Sequence, residues 1–171
     1  MSSPLISFPN PVNEVTARVV AAGVVAMAVL AVAAQLRWLA VVLAVGFLLR
    51  VLSGPRFSPL ALLASRVIVP RLPWGPRMVA GPPKRFAQTI GLVFSVSAAL
   101  LFYVFGSAAA GYGVLGALIV AAVLESAFGI CLGCRAFALL MRAGVIPPQV
   151  CESCNNIWAG RTPPAGVAPS S

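Results

Sequence analysis

Four apolar runs, separated by short polar or glycine- and proline-rich stretches, form the pattern of the chain. The runs at 86–105 and 109–130 are each long enough for a helix that crosses a bilayer core of about 30 Å. The alanine- and valine-rich run at 15–36 predicts a third crossing. The run at 38–52 has only 15 residues, so it would cross with local bilayer thinning or with Arg50 extending toward the headgroups. The pattern therefore predicts four transmembrane helices in two hairpins.

The segment between the two predicted hairpins has a helix signal of its own. Ser58 and Pro59 predict the start of a short helix, and Pro70 predicts its end. A helix at about 59–69 has too few residues to span a bilayer. Because Trp74 and several arginines flank it, we interpret it as an interfacial helix that anchors the chain, in preference to a gate or lid.

The two ends of the chain depart from the apolar pattern. Asn10 and Pro11 predict a helix cap and a first turn, with the helix starting near Val12. A cleaved signal peptide is the alternative, but the stretch before the first run has one basic residue and a second apolar run follows almost at once. The tail at 159–171 is rich in proline, glycine, serine and alanine and is predicted to be disordered. Residues 1–158 are interpreted as a single membrane domain.

Composition and charge indicate that the apolar runs cross a membrane, and they predict on which side the termini lie. Hydrophobic residues make up 60% of the chain and charged residues 9%, which indicates an all-α integral membrane protein. With four spans, Arg37 lies alone on one side and the other 11 of the 12 basic residues lie on the opposite side. Both termini are therefore predicted to be cytoplasmic, with the protein in the cell inner (plasma) membrane. The net charge of +9 suits contact with anionic headgroups, and no nucleic-acid partner is expected because no polar domain is large enough to form a groove.

All the cysteines lie in one segment, at 128–156, directly after the fourth apolar run. They form two C-x-x-C pairs separated by 16 residues: Cys131, Cys134, Cys151 and Cys154. This spacing is in the range of four-cysteine zinc sites. It also suits thiol–disulfide exchange or sulfur transfer, because the second cysteine of a pair can resolve a mixed disulfide or persulfide formed on the first. Incidental packing of small apolar side chains is the third interpretation, which the clustering of all four disfavours.

The first pair is predicted to lie where the fourth helix ends. A reducing cytoplasm disfavours a permanent structural disulfide at any of the four cysteines. The negative end of a helix dipole would raise the pKa of Cys131 and Cys134, although Arg135 opposes this effect. A continuous helix would also aim the two sulfurs poorly at one metal ion, unless Gly129 or Gly133 breaks it.

The second pair is predicted to fold back onto the first, so that all four cysteines form one site. Gly144 is a natural helix stop, and the prolines at 147 and 148 follow it. These prolines can start a new short helix that leaves Cys151 near its positive end, where a thiol pKa is lowered.

Other chemistry is restricted by the residue types present. Glu125 is the only acidic residue inside a predicted span. We expect it to form a structural ion pair, with Arg50 or Arg18, or an interfacial hydrogen bond, in preference to relaying protons or acting as the base for Cys131. The chain has no histidine, and its three acidic residues are all glutamates. Histidine-based catalysis and paired-carboxylate chemistry are therefore excluded.

Several short motifs resemble one family. VNEVTARV, GPRFSPLALL, PPKRFAQTIG and AFGICLGC occur in this order and are similar to the bacterial membrane-protein family catalogued as domain of unknown function 4395, over residues 12–141. The resemblance implies an integral membrane protein with a C-x-G-C pair, in a family whose members are similar in setting to proteins found beside thioredoxin-like and sulfurtransferase proteins. CESC lies in an extension past the core pattern. Two functions remain: thiol–disulfide exchange or sulfur transfer with such a partner, and a structural zinc scaffold without catalytic activity.

Overall fold

The computed structural model describes residues 11–53, 58–71, 73, 75 and 77–151, and this part of the chain is almost entirely helical. Its α-helices are α1 (Glu14–Ala33), α2 (Trp38–Ser53), α3 (Pro59–Leu63), α4 (Gly81–Tyr103), α5 (Ala108–Phe128) and α6 (Leu132–Arg142). A π-helical turn (Ala64–Ile68) and a 3-10 turn (Val69–Arg71) continue α3, and a second 3-10 turn covers Pro148–Cys151. Predictions that concern Asn10, Trp74, Cys154 and the tail at 159–171 lie outside the described residues.

The first helix starts later than predicted. Val12 and Asn13 form a short strand, β1, that pairs antiparallel with β2 (Met78–Val79), so the helix begins at Glu14, two residues after Val12. The side chain of Asn13 instead caps α1, because its Oδ1 accepts a hydrogen bond from the backbone N–H of Val15 at 3.0 Å.

A tight turn connects α1 and α2. Helix α1 ends at Ala33, three residues before the predicted end at position 36, and Gln35 adopts a left-handed conformation with φ of 53°. Helix α2 then covers nearly the predicted range of 38–52. The turn is therefore close to where the sequence indicated it.

The helix after Pro59 continues past its predicted stop. Pro70 lies inside the 3-10 turn, which ends at Arg71. Proline lacks a backbone N–H, and the change from α- through π-helical to 3-10 geometry is a known way to accommodate the lost hydrogen bond. Ser58 occupies the N-cap position, but its side chain makes no capping hydrogen bond.

Helices α4 and α5 run antiparallel and form the core together with α1 and α2. Helix α4 begins at Gly81, before the predicted start at position 86, because prolines occupy its first turn, where their missing N–H groups cost little. Glycine allows close packing at two places: a Cβ on Gly91 would overlap the ring of Phe47, and a Cβ on Gly111 would overlap the ring of Phe102.

Three helices, α1, α4 and α5, are long and apolar enough to cross a membrane. Their outward faces carry large apolar side chains, including Val93 at 58% and Val120 at 60% exposure, as expected of surfaces that face lipid chains. Helix α2 is apolar but has only 16 residues, fewer than the roughly 20 that a straight crossing needs. The structure thus supports a helical membrane protein with three candidate spans, and α2 is not among them.

Candidate functional site

The chain breaks between α5 and α6 at Gly129. Its φ of 68° lies in the left-handed region that favours glycine, and its N–H donates to the carbonyl of Glu125 at 3.1 Å. The position is also crowded, because a Cβ there would lie 3.3 Å from Cζ of Arg18. This break separates the CLGC motif from the fourth apolar run.

Cys131 occupies the N-cap position of the new helix α6. Its sulfur accepts a hydrogen bond from the backbone N–H of Cys134 at 3.4 Å, and the two residues come within 2.8 Å of each other. The prediction that this pair lies at the negative end of a helix is therefore wrong: the Gly129 break places it at the positive end of the next one.

The pair is electrostatically asymmetric. The hydrogen bond from the thiol of Cys134 lowers the pKa of Cys131, and nearby Lys84 lowers it further, against the opposing effects of burial and Glu125. The same sulfur–sulfur hydrogen bond, together with burial, raises the pKa of Cys134. A thiolate on this pair is thus stabilised on Cys131.

Glu125 forms an ion pair with Lys84. Nζ of Lys84 lies 2.8 Å from Oε1 of Glu125, and the two side chains are 8% and 22% exposed. The expectation of an ion pair is confirmed, but the partner is Lys84. Arg18 instead donates to the carbonyls of Ser126 and Ala127 at the end of α5.

Arg50 is a second buried cation near this ion pair. It is only 3% exposed; its Nε donates to the carbonyl of Gly46 at 3.1 Å, and its guanidinium carbon lies 4.3 Å from the ring centroid of Phe47. These contacts hold the guanidinium inside the helix bundle.

A cavity of about 420 Å³ connects these groups. One part of its wall is polar and contains Arg50, Lys84, Gln88, Glu125 and Cys131. The remaining wall is mainly apolar and includes Val24, Phe94, Ala117 and Leu118. Among the described residues, Oε1 of Gln88 is buried and has no hydrogen-bond partner.

Helix α6 is held against α4 by close packing. A Cβ on Gly133 would overlap Ala87, so this position requires glycine for the observed approach. The rings of Phe86 and Phe137 pack with centroids 5.6 Å apart. These contacts keep Cys131 on the cavity wall, where it is only 8% exposed, whereas Cys134 is half-buried.

The second cysteine pair is described only in part. Cys151 is the last residue of the 3-10 turn, not near its start as predicted. It is buried and disulfide-bonded, which contradicts the expectation that the cysteines form no structural disulfide. Cys131 and Cys134 are free thiols. Across the described residues, no group of three or more cysteine, histidine or acidic side chains is arranged to hold a metal ion.

Sequence reasoning missed Lys84 and Gln88 as parts of the site. Lys84 could have been found, because a carboxylate inside a span needs a cation at the same depth, and Lys84 lies in the first turn of α4, the helix before the one that carries Glu125. Gln88 follows Lys84 by one helical turn, but no motif indicated that its amide is buried.

The family model described as "Domain of unknown function (DUF4395)" matches residues 12–142, well over half of the chain. The matched region contains all six helices, the cavity and the Cys131–Cys134 pair, and it ends before Cys151. No curated protein and no solved structure matches the chain.

Proposed function

The chain belongs to the family of domain of unknown function 4395. From the site itself we propose that Cys131 and Cys134 form a redox-active pair, whose disulfide form accepts electrons from a thioredoxin-like or sulfurtransferase partner. The observation that carries this proposal is the position of Cys131 as the N-cap of α6, where its sulfur accepts the N–H of Cys134 beside Lys84.

The two cysteines differ in a way that suits a directional exchange. Cys134 is the more accessible sulfur, so in the disulfide form it is the one that a partner thiolate can reach. Cys131 is the better leaving group because its pKa is lowered. Attack therefore releases the Cys131 thiolate into the environment that stabilises it.

The exchange balances without a further reactant. A partner thiolate attacks Sγ of Cys134, the Cys131–Cys134 bond breaks, and a mixed disulfide forms. The second partner thiol, after losing its proton, attacks the partner sulfur of that bond and releases Cys134. The partner dithiol is oxidised to a disulfide, and the pair is reduced to the two free thiols that the structure contains.

We place this chemistry at the cytoplasmic face of the inner membrane, with four spans and both termini cytoplasmic. The charge distribution supports this orientation: Arg37 is the one basic residue in the turn between α1 and α2, whereas Arg18, Lys84 and Arg135 lie at the opposite end of the bundle, beside the thiol pair.

The test is a mapping of mixed disulfides on the full-length chain in detergent. The oxidised protein is incubated with a thioredoxin-like probe that retains only its attacking cysteine, so that no second partner thiol can release Cys134. Iodoacetamide then blocks the freed Cys131 thiolate, which could otherwise attack the mixed disulfide and expel the probe. We expect an adduct on Cys134 and no adduct when Cys134→Ser or Cys131→Ser prevents the starting disulfide. Cys151→Ser is the matched control and should leave the adduct unchanged.

The zinc scaffold makes the opposite prediction. It requires one zinc ion per chain, comparable loss of metal from each of the four serine variants, and no adduct on any cysteine. Metal analysis of the same purified sample distinguishes the two functions, and that pattern would exclude the dithiol.

A further inference from the structure

We propose that the cavity between α1, α2, α4, α5 and α6 binds a lipid-soluble quinone, which accepts electrons from the Cys131–Cys134 dithiol. This inference rests on the proposed function, because it names the compound that regenerates the disulfide. The structure suggests it by placing Cys131 on the wall of a cavity that continues into the apolar part of the bundle.

The cavity has the size and polarity of a site for an amphipathic molecule. Its volume of about 420 Å³ is typical of small-molecule pockets. Along α4 its wall extends from Lys84 to Phe94, a distance of about 15 Å at the helical rise of 1.5 Å per residue. The polar groups lie near Cys131, and the far end is lined by Val24, Phe94 and Ala117. A ligand with a polar ring and an apolar tail matches both ends.

The charges at the polar end favour a molecule that is neutral before it is reduced. Arg50 and Lys84 carry two positive charges and Glu125 carries one negative charge. A thiolate on Cys131 would bring the sum to zero. A neutral quinone then needs no further counter-ion, and the negative charge that its oxygens gain on reduction develops beside two buried cations. An inorganic anion would leave the apolar end of the cavity unfilled.

Gln88 provides the acceptor that a reduced quinone needs. Its Oε1 is buried and unpaired among the described residues, and an unpaired buried acceptor is costly unless a ligand or water donates to it. A quinone oxygen can accept from Arg50 or Lys84, whereas a quinol hydroxyl can donate to Gln88. The polar wall therefore offers partners to both redox forms.

The proposed reaction is a two-electron, two-proton exchange. The thiols of Cys131 and Cys134 lose two electrons and two protons, and a sulfur–sulfur bond forms between them. The quinone takes up the same two electrons and two protons and becomes a quinol. One quinol is formed per disulfide.

The test uses the full-length chain, reduced and then freed of reductant, in nanodiscs of quinone-free phospholipid. The probe is a short-chain ubiquinone, because its fully substituted ring leaves no open position for a thiolate to alkylate. We expect one quinol and one Cys131–Cys134 disulfide per chain, measured by absorbance and by mass spectrometry. Cys134→Ser should produce neither.

Two cavity variants test where the quinone binds. Ala121 lines the cavity, and Ala121→Phe should raise the half-saturating quinone concentration by about tenfold or more. Gln88→Leu should leave this concentration nearly unchanged, because the quinone oxygens only accept, but it should raise the quinol concentration that half-inhibits the reaction by about three- to tenfold through the loss of one hydrogen bond. Val120→Phe is the matched control on the same helix, because Val120 is 60% exposed and does not line the cavity; its value should not change.

The outcomes separate this inference from the proposed function. If the disulfide form gives the adduct on Cys134 but ubiquinone does not oxidise the reduced pair, the quinone site is refuted and the exchange function stands. The same holds if Ala121→Phe behaves like Val120→Phe, because the quinone then reacts from outside the cavity. If neither the adduct nor the quinol forms, both proposals fail.

Discussion

Replacing either member of the Lys84–Glu125 ion pair should destabilise the protein, yet change the reactivity of Cys131 in opposite directions. The two variants are Lys84→Met and Glu125→Gln, which remove one charge each and keep the side-chain size nearly the same. Both break a contact of 2.8 Å between side chains that are 8% and 22% exposed.

The expected loss of stability follows from this burial. Removing one partner of a buried ion pair costs about 3–5 kcal/mol, because the other charge stays buried without compensation. Glu125→Gln leaves the more buried Lys84 unpaired, so about 3 kcal/mol is expected. Lys84→Met leaves a carboxylate that water reaches in part, so about 2 kcal/mol is expected. With about 2–4 °C per kcal/mol for a chain of this size, Tm should fall by about 4–12 °C.

The expected change in reactivity follows from the sign of each charge. Lys84 lowers the pKa of Cys131 and Glu125 raises it, although the hydrogen bond from Cys134 has the largest effect. A nearby charge typically shifts a pKa by about one unit, which is about tenfold in thiolate population near neutral pH. Lys84→Met should therefore slow alkylation of Cys131 by about tenfold at pH ~7, whereas Glu125→Gln should accelerate it.

The assay is the rate of iodoacetamide labelling at Cys131, followed by mass spectrometry, beside thermal unfolding of the same samples in detergent. Arg85→Met is the control: this neighbouring cation is exposed, and its hydrogen bond goes to the carbonyl of Val51. If both ion-pair variants accelerate labelling, the effect comes from local unfolding and the electrostatic reasoning is refuted.

Three further predictions concern the turn before α6, the titration of the thiols and the topology. Gly129→Ala should lower Tm by several degrees, because a φ of 68° costs a residue with a Cβ about 1–2 kcal/mol. Gly113→Ala, which has open space around it, should not lower Tm, and equal effects of the two variants would refute the strained turn. Cys131 should stay reactive to alkylation below pH ~8.5 and lose reactivity as the pH falls through its lowered pKa. Cys134→Ala should move this loss of reactivity to higher pH, because it removes the largest cause of the lowered pKa. An unchanged pH profile would contradict the hydrogen-bond assignment. A reporter fused after Ser171 should be cytoplasmic, and periplasmic activity would overturn the charge-based orientation.

The helices were largely predictable, because long apolar runs have few alternatives to membrane-length helices. The ends were less predictable where local chemistry competes with hydropathy. Prolines that precede the predicted start of the span at position 86 form the first turn of α4, and pairing of Val12 with Val79 delays the start of α1. Strand pairing across 66 intervening residues leaves no signal in a local pattern.

The cysteine pair was identified from the sequence, but its environment was not. Gly129 was recognised as a possible break, yet whether the next residues would continue one helix or start another depends on packing against α4, through Gly133 and Phe137. That packing reverses the sign of the helix-dipole effect on Cys131. The cavity also could not be predicted from the sequence, because it depends on how five helices pack and leave space between them.

The position of the thiol pair in the fold also explains why these cysteines directly follow an apolar run in the sequence. The break at Gly129 and the packing of α6 on α4 turn the chain back over the end of the bundle, so that Cys131 faces the cavity and Cys134 is the more accessible of the two. A dithiol on a polar loop could meet only soluble partners. On the two proposals made above, a dithiol on this wall exchanges with a protein on one side and with a membrane-dissolved compound on the other, and the buried charges of Arg50, Lys84 and Glu125 line the cavity in which that compound is reduced.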